Sequence, residues 1–269
     1  MHSDPLKNDP LTEADLRDRL HGRPLRYFDS INSTMDEAKQ WLQTDADSQS
    51  LHCAVIIADE QRRGRGRMGR TWHTPPGVAL ALSVILLPPQ DALHQVTMLG
   101  ALAICDLLEG LPADASPRPS TGIKWANDVL LNGRKVSGIL SEALWSPSGD
   151  RLLGVVLGMG LNVRVTFDDP ALSAKATSIE PEYGQTFQRA ELIERLLHHV
   201  DTWSAQLGSE RLSEAWRSRL ITLGQRVTIT LPTGTIRGTA DEVESGGALW
   251  IRSDDGTRQR IIAGDLDMA

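Results

Sequence analysis

An Asn-Gly dipeptide at 132–133 separates two apolar runs, Ile123–Leu131 and Lys135–Ala143, and constrains the fold more than any other feature. Asparagine and glycine accept the positive φ angles of a tight hairpin turn, so the two runs are predicted to pair as antiparallel strands. A second turn near Ser146–Asp150 leads into another apolar run, Leu152–Val163. Consecutive hairpins predict a mixed, largely antiparallel sheet in an α+β fold rather than a doubly wound one, with helices packed on one side.

The hydrophobic period changes late in the chain. Residues 187–207 carry apolar side chains at intervals of three and four, which predicts a long amphipathic helix. Later runs such as Arg226–Leu231 alternate with a period of two and are short, which predicts a small antiparallel barrel. We therefore expect two domains, residues 1–222 and 223–269, with residues 1–23 as an N-terminal extension that contains one short helix.

Composition excludes several classes of partner. The chain has 269 residues and a formal net charge of −7, which argues against DNA or RNA as a partner because nucleic-acid surfaces need a basic face. No apolar run approaches the roughly 20 residues that span a bilayer, so no membrane partner is expected. The two cysteines, Cys53 and Cys105, lie in apolar surroundings and favour a reducing, cytoplasmic location. The acidic segment Asp265–Asp267 is predicted to be solvated.

A loop of glycines and arginines, Gly64–Trp72, follows directly after an apolar run. Glycine lets a ligand lie close to the backbone, and arginine offers a rigid fork of donors for carboxylate and phosphate. The spacing fits neither a P-loop nor a dinucleotide fingerprint. The loop alone leaves two interpretations open, an anion site and a solvated or RNA-binding basic segment. RNA readers usually interleave aromatic residues, and only Trp72 is near.

Lys124 is the one cationic residue within the largely apolar run Ile123–Leu131. If this run is one strand, Lys124, Ala126 and Asp128 share a face. A buried lysine needs a partner, which either Asp128 or a ligand anion would supply. The glycines of Gly158–Asn162 weaken a later strand and indicate either close approach of a ligand or backbone, or a bulge.

Taken together, these segments resemble the biotin–protein ligase family. The matching segments stand in the family's order and are Asp29–Thr34, Glu60-Gln61 with Gly64–Trp72, Lys124–Asp128, Lys135–Leu140 and Gly158–Asn162. The resemblance implies a class II synthetase-like catalytic domain followed by an SH3-like barrel. It also implies an ATP-dependent ligase that forms biotinyl-5'-AMP, releases pyrophosphate and needs Mg²⁺. The implied acceptor is a lysine of a biotin carboxyl carrier protein or domain of a carboxylase.

The resemblance further implies roles for individual residues. Lys124, Arg65 and Arg67 are expected to be catalytic, offsetting the repulsion between the biotin carboxylate and the ATP phosphates. The expected biotin-binding residues are Ser33, Thr34, Met35, Gln61, Gly64, Arg65, Gly66, Arg67, Lys124, Gly138, Gly158 and Gly160. The expected ATP-binding residues are Arg67, Arg70, Trp72, Asn127, Asp128, Lys135 and Asn162. Two positions depart from the family's common pattern, Met35 in place of asparagine and Ala126 in place of proline.

Four further expectations concern alternative functions, the oligomeric state and the mobility of the loop. A lipoate or octanoate ligase of related fold is the first rival, which the glycine–arginine loop and the barrel disfavour. A bifunctional biotin-operon repressor is disfavoured because only about 25 residues precede the first strand, too few for a helix-turn-helix domain. The chain is expected to act as a monomer or homodimer. Repulsion among the loop arginines predicts a loop that is mobile until substrates bind.

Overall fold

The structure is a computed structural model that describes residues 9–45 and 48–268. It contains one seven-stranded sheet and one five-stranded sheet. In chain order the elements are α1 (Glu13–Arg19), β1 (Leu25–Ile31), α2 (Thr34–Thr44), β2 (Val55–Gln61), β3 (Ala79–Leu86), α3 (Gln95–Gly110), β4 (Thr121–Lys124), β5 (Asp128–Leu131), β6 (Arg134–Trp145), β7 (Leu152–Asn162), α4 (Pro170–Ser173), α5 (Ile179–Tyr183), α6 (Arg189–Ser204), α7 (Glu210–Ser218), β8 (Arg226–Leu231), β9 (Gly234–Val243), β10 (Leu249–Arg252), β11 (Arg258–Ile261) and β12 (Asp265–Met268).

The seven-stranded sheet confirms the predicted α+β fold class. Its strand order is β1-β2-β3-β7-β6-β5-β4, in which only β1 and β2 are parallel. The hairpin at Asn132 and Gly133 is confirmed, with φ angles of 49° and 78°. The second predicted turn is confirmed as well, because β6 and β7 pair antiparallel on either side of it. Successive hairpins therefore bring the segments 124–138 and 158–162 side by side.

The predicted single strand Ile123–Leu131 is wrong. The chain reverses at residues 125–127, so β4 and β5 pair antiparallel and Lys124 lies opposite Asp128. Two contacts explain the reversal. The buried indole of Trp125 donates to the carbonyl of Gly247 at 2.8 Å, and the Asn127 amide donates to the carbonyl of Ile139 at 2.7 Å. Long-range partners therefore override the local strand pattern, while Lys124 and Asp128 still face each other.

The expectation that the helices pack on one side of the sheet is also wrong. Helices α3, α6 and α7 cover one face, where alternate residues of β2 such as Val55 and Ile57 enter the main core. Helix α2 covers the opposite face, where Ile56 joins a second cluster with Met35 and Leu42. Strand β2 is buried on both faces at these positions. A strand of this kind is apolar on both sides, so its sequence lacks the alternation of polar and apolar residues that distinguishes a covered face from an exposed one. The helix on the second face could therefore not be predicted.

Three other boundaries bear on the predictions. Helix α1 is confirmed, and Thr12 Oγ1 accepts from the Asp15 amide at 3.2 Å. Strand β1 continues to Ile31, into the polar segment Asp29–Asn32, because its parallel pairing with β2 continues. Helix α7 ends at Ser218, and the backbone of Arg219 and Ile221 then forms hydrogen bonds with Ile123 on the edge strand β4.

The C-terminal strands form a separate antiparallel sheet in the order β11-β10-β9-β8-β12. Their short, alternating pattern was predicted from the sequence. The barrel's SH3-like character and the domain division at residue 222 stay predictions. Across residues 9–45 and 48–268, no helix has the length and apolar character to cross a membrane.

Candidate active site

A cavity lies where the glycine–arginine loop crosses the ends of the central strands. The start of α2 forms one wall, strands β4 to β7 form the floor, and the segment before β12 closes one side. Its lining includes Thr34, Met35, Gln61, Arg65, Gly66, Arg67, Met68, Arg70, Thr71, Trp72, Leu82, Lys124, Trp125, Asn127, Asp128, Lys135, Gly138, Ile139, Leu140, Gly158, Met159, Gly160, Gly264, Asp265 and Leu266. Fifteen of the eighteen site residues expected from the sequence line this cavity.

The structure brings together most of the residues singled out from the sequence, with three exceptions. Ser33 and Gly64 are neighbours of lining residues but are not themselves in the wall. Asn162, at the end of β7, is buried and donates to the carbonyl of Thr177 at 3.0 Å, also outside the cavity wall. The backbone of the loop closes on itself, because the Trp72 amide donates to the Gly64 carbonyl at 2.9 Å.

Each arginine of the loop that lines the cavity contacts a different part of the molecule. Arg65 contacts Asp36 on α2 at 2.8 Å and Glu142 on β6 at 2.5 Å. Arg67 donates to the neutral amide oxygen of Asn127 at 2.8 Å. Arg70 forms an ion pair with Asp265 of β12. The loop is thereby connected by side chains to α2, to the central sheet and to the C-terminal sheet.

The partner of Lys124, left open by the sequence, is not Asp128. The Asp128 carboxylate pairs instead with Lys135 at 2.7 Å. Within the described part of the chain, no carboxylate lies within ion-pair distance of Lys124 or of Arg67. Burial lowers the pKa of Arg67, with Asp128 and Asp265 acting in the opposite direction. Two cations without a carboxylate partner therefore face one cavity.

The glycines of β6 and β7 form a floor on which large side chains lie. A Cβ atom at Gly160 would lie 2.3 Å from the Trp72 Nε1 atom, and one at Gly158 would lie 2.7 Å from the Met35 sulfur. Any side chain at these positions would displace Trp72 or Met35, so glycine is required by close approach. Lys135 lies over the Trp72 ring, with its Nζ atom 5.5 Å from the ring centroid.

A group of polar side chains lies at the α2 end of the cavity. The Thr34 hydroxyl lies 3.1 Å from the Gln61 amide oxygen and 2.8 Å from the Ser83 hydroxyl. Gln61 in turn donates to the Thr74 hydroxyl at 3.3 Å. The Ser33 hydroxyl is buried and has no hydrogen-bond partner within the described residues. Buried polar atoms are normally paired, so this end of the cavity has hydrogen-bonding capacity to spare.

Sequence reasoning missed several residues of the site. Asp265 is partly exposed, but it also pairs with Arg70 across 195 positions of the chain, a contact that the sequence did not predict. Gly264 and Leu266 line the cavity beside it. No local pattern reveals such a contact. Ser83 did carry a signal, since it is the one polar residue in the buried strand β3.

A protein-held metal site is absent from the described residues. No group of three or more histidine, cysteine, aspartate or glutamate side chains is placed to hold an ion in residues 9–45 and 48–268. The two carboxylates that line the cavity, Asp128 and Asp265, are each engaged by a cation, Lys135 and Arg70 respectively.

Comparison with known proteins agrees with this geometry. Residues 27–162 match the biotin/lipoate A/B protein ligase family, and residues 222–268 match the biotin protein ligase C-terminal domain. The chain is 36% identical to a biotin–[acetyl-CoA-carboxylase] ligase of Paracoccus denitrificans, over 79% of this chain and 89% of that protein. It is 32% identical to the corresponding ligase of Mycobacterium tuberculosis, over 96% and 95% of the two chains.

A solved structure shares the fold. The biotin protein ligase of Aquifex aeolicus in complex with biotin and ATP aligns with a TM-score of 0.73 and 24% identity, over 91% of this chain and 98% of that one. The family match spans half of the chain, and the relatives cover most of it. The chain therefore belongs to the biotin/lipoate A/B protein ligase family, and within it to the biotin–protein ligases.

Proposed function

We propose that this enzyme activates biotin with ATP and transfers it to a lysine of an acceptor protein. One observation carries the proposal. Arg67 and Lys124 line the same cavity, and neither has a carboxylate within ion-pair distance among residues 9–45 and 48–268. Two cations that lack carboxylate partners suit a reaction in which two anions must approach each other.

In the first step an oxygen of the biotin carboxylate attacks the α-phosphorus of ATP. A bond forms between that oxygen and phosphorus, and the bond to the bridging oxygen of the β-phosphate breaks, so pyrophosphate leaves. Arg67 and Lys124 offset the repulsion between the anionic reactants and the charge that develops on the leaving group. Arg65 and Gly66 contribute their backbone beside the same centre. The product is the mixed anhydride biotinyl-5'-AMP.

In the second step a neutral acceptor amine attacks the acyl carbon of the anhydride. An amide bond forms, the acyl–oxygen bond to phosphate breaks, AMP leaves and the amine loses a proton. We assign the acceptor to a biotin carboxyl carrier protein or domain. Two relatives with 36% and 32% identity are named as ligases for acetyl-CoA carboxylase, which supports this assignment.

Biotin would lie along the glycine floor. The polar end of the cavity suits the ring urea of biotin, because Thr34 and Gln61 line it and the buried Ser33 hydroxyl beside them has no partner. Met35 and Trp72 supply apolar contact to the remainder of the molecule. The glycines at 64, 138, 158 and 160 make room for Trp72 and Met35, which lie against them and would line the biotin site.

ATP would lie toward the opposite end, near the C-terminal sheet. We assign Arg70, Trp72, Asn127, Asp128, Lys135 and Asn162 to this side, of which all but Asn162 line the cavity. The described residues lack a carboxylate cluster for a resident ion. We propose that the nucleotide binds as its magnesium complex, in which phosphate oxygens would hold the ion.

The test is pyrophosphate release from magnesium and ATP, measured with biotin, with lipoate and with neither acid. We expect release with biotin only, and a fall of at least about 100-fold in Lys124→Ala, because a group that stabilises transition-state charge is lost. Lys175→Ala, at an exposed lysine outside the cavity, is the matched control and is expected to keep wild-type activity. Release with lipoate alone would move the enzyme to the lipoate ligases, and normal activity of Lys124→Ala would remove this residue from the mechanism.

A further inference from the structure

Arg65 belongs to a four-residue cluster of alternating charge that lies at the edge of the cavity. Besides its contacts with Asp36 and Glu142, the cluster contains Lys39 of α2, which lies 3.3 Å from Asp36 and 3.0 Å from Glu142. Each carboxylate therefore touches both cations. We call Asp36, Lys39, Arg65 and Glu142 the anchor cluster. Its formal charge is zero, so the arginine has no unmatched charge to offer a substrate.

The anchor cluster places the guanidinium of Arg65 in a different part of the cavity from Arg67 and Lys124, which have no carboxylate partner among the described residues. Glu142 lies on β6 four residues beyond Gly138, on the same face and roughly 13 Å along the strand. Asp36 follows Met35, whose sulfur lies above Gly158. The guanidinium of Arg65 thus joins α2 to β6 at the outer end of the glycine floor, while the residue still lines the cavity.

We infer that Arg65 acts as a positioning residue, with Asp36, Glu142 and Lys39 acting through it; the inference rests on the proposed function. The side chain anchors the start of the glycine–arginine loop to α2 and β6. The loop backbone at Gly66 and Arg67 is thereby placed along the cavity, and the charge of Arg67 is delivered to the reacting centre. Lys39 keeps the two carboxylates from repelling each other, so both remain turned toward Arg65.

The rival possibility is that a substrate anion takes Arg65 away from its carboxylates. The two possibilities predict opposite signs. If Asp36 and Glu142 compete with substrate for Arg65, neutralising them strengthens biotin binding. If they position the loop, neutralising them weakens biotin binding and frees the loop.

The experiment compares wild type with Asp36→Asn, Glu142→Gln and the double variant. We expect each single change to raise the KM for biotin about twofold to fivefold and the double change to raise it about tenfold, since each half-exposed pair contributes modestly. The kcat for pyrophosphate release is expected to change less than the KM, because Arg67 keeps its own hydrogen bond to Asn127 and Lys124 lies on the sheet. Arg65→Lys is expected to recover part of the loss seen in Arg65→Ala, since a cation alone keeps part of the anchor.

A second readout follows the loop directly. Trypsin cleavage after the arginines between residues 62 and 70 is expected to be faster in the double variant without ligands, and to speed up in wild type as salt is raised. Glu37→Gln is the matched control, because Glu37 also lies on α2 and pairs with Arg26 at 2.6 Å, away from the loop. It is expected to leave the KM and the cleavage rate unchanged.

The outcomes separate the inference from the proposed function. A lower or unchanged KM in the double variant, or an unchanged cleavage rate, overturns the anchor. Absence of biotin-dependent pyrophosphate release in wild type overturns the proposed function instead, and the cleavage rates still decide whether the cluster holds the loop. Thermal unfolding of each variant identifies a loss of fold, and Arg65→Lys then serves as the milder variant.

Discussion

Two groups of arginines in this molecule form hydrogen bonds and ion pairs in very different surroundings. One is the glycine–arginine loop. The other, which we call the buried arginine cluster, consists of Arg164 and Arg189 with the carboxylates of Asp9, Asp59 and Glu180. The side chain of Arg189 is 1% exposed, whereas that of Arg70 in the loop is 64% exposed. Burial is the main difference between them.

The buried arginine cluster leaves little hydrogen-bonding capacity unused. Arg189 donates to the Asp9 carboxylate at 3.1 Å and to the Asp9 carbonyl at 2.9 Å, and it also pairs with Asp59. Arg164 forms two bonds to Glu180, at 3.0 and 2.7 Å, and one to Asp9 at 2.8 Å. These contacts join the N-terminal segment to the start of α6 and to β2. An ion taken out of water must be matched in this way, or the fold loses several kcal/mol.

The loop, by contrast, leaves two cations of its site without carboxylates. Arg67 has a neutral amide as its partner, and Lys124 has no ion pair within the described ranges. Partial exposure makes this tolerable, because water screens the charge. Full pairing is thus typical of an arginine that supports the fold, whereas incomplete pairing within a cavity is what we expect of a cation that binds an anionic substrate.

The largest expected effect is on stability, at the buried cluster. Arg189→Met should lower the free energy of unfolding by about 3–5 kcal/mol, because Asp9 and Asp59 lose their buried partner. Urea unfolding measures the change. Arg17→Met is the control, since Arg17 pairs with Glu13 on the exposed face of α1, and it is expected to cost less than about 1 kcal/mol. Equal losses of unfolding free energy in Arg189→Met and Arg17→Met would contradict the comparison.

The next effect is on catalysis. Arg67→Met should lower the rate of pyrophosphate release about 100-fold, through loss of transition-state charge stabilisation. The free energy of unfolding should change by less than about 1 kcal/mol, because Arg67 has no ion pair to lose. Rates under saturating substrate and urea unfolding of the same preparation give both numbers. A large loss of stability with normal kinetics would place Arg67 with the structural arginines.

The smallest effect is expected at the contact between the loop and the C-terminal sheet. Asp265→Asn removes the partner of an exposed arginine, Arg70, and should change the free energy of unfolding by less than about 1 kcal/mol. Hydrogen bonding to Asp265 raises the pKa of Arg70, so the carboxylate stabilises the charged guanidinium. Because salt screens an exposed pair, the stability lost in Asp265→Asn should shrink further as salt is raised. A salt-independent loss above about 2 kcal/mol would show that this pair behaves like a buried one.

Local signals were sufficient for several parts of the fold. The hairpin at Asn132 and Gly133 was predictable because the turn needs positive φ angles that few residues accept. The helix around α6 was predictable from its apolar spacing. Helix α2 on the second face was not placed, because β2 is apolar on both sides and the pattern does not say what covers each one.

The site divides in the same way. Its residue types and their order along the chain were readable, because glycine for close approach and arginine for anions are local requirements. Which carboxylate pairs with which cation could not be predicted, because the sequence offers several acidic residues as partners for each cation. In the folded structure Asp128 pairs with Lys135 and Asp265 pairs with Arg70. Asp36 and Glu142 both pair with Arg65.

The amino-acid sequence by itself thus determined the hairpins, the glycine–arginine loop and the family of the enzyme, since these depend on neighbouring residues and on motif order. Only the tertiary structure decided which cations of the cavity have no carboxylate partner among residues 9–45 and 48–268. Ion pairing acts over a few ångströms in space, and the partners of the loop arginines lie between 29 and 195 positions away along the chain.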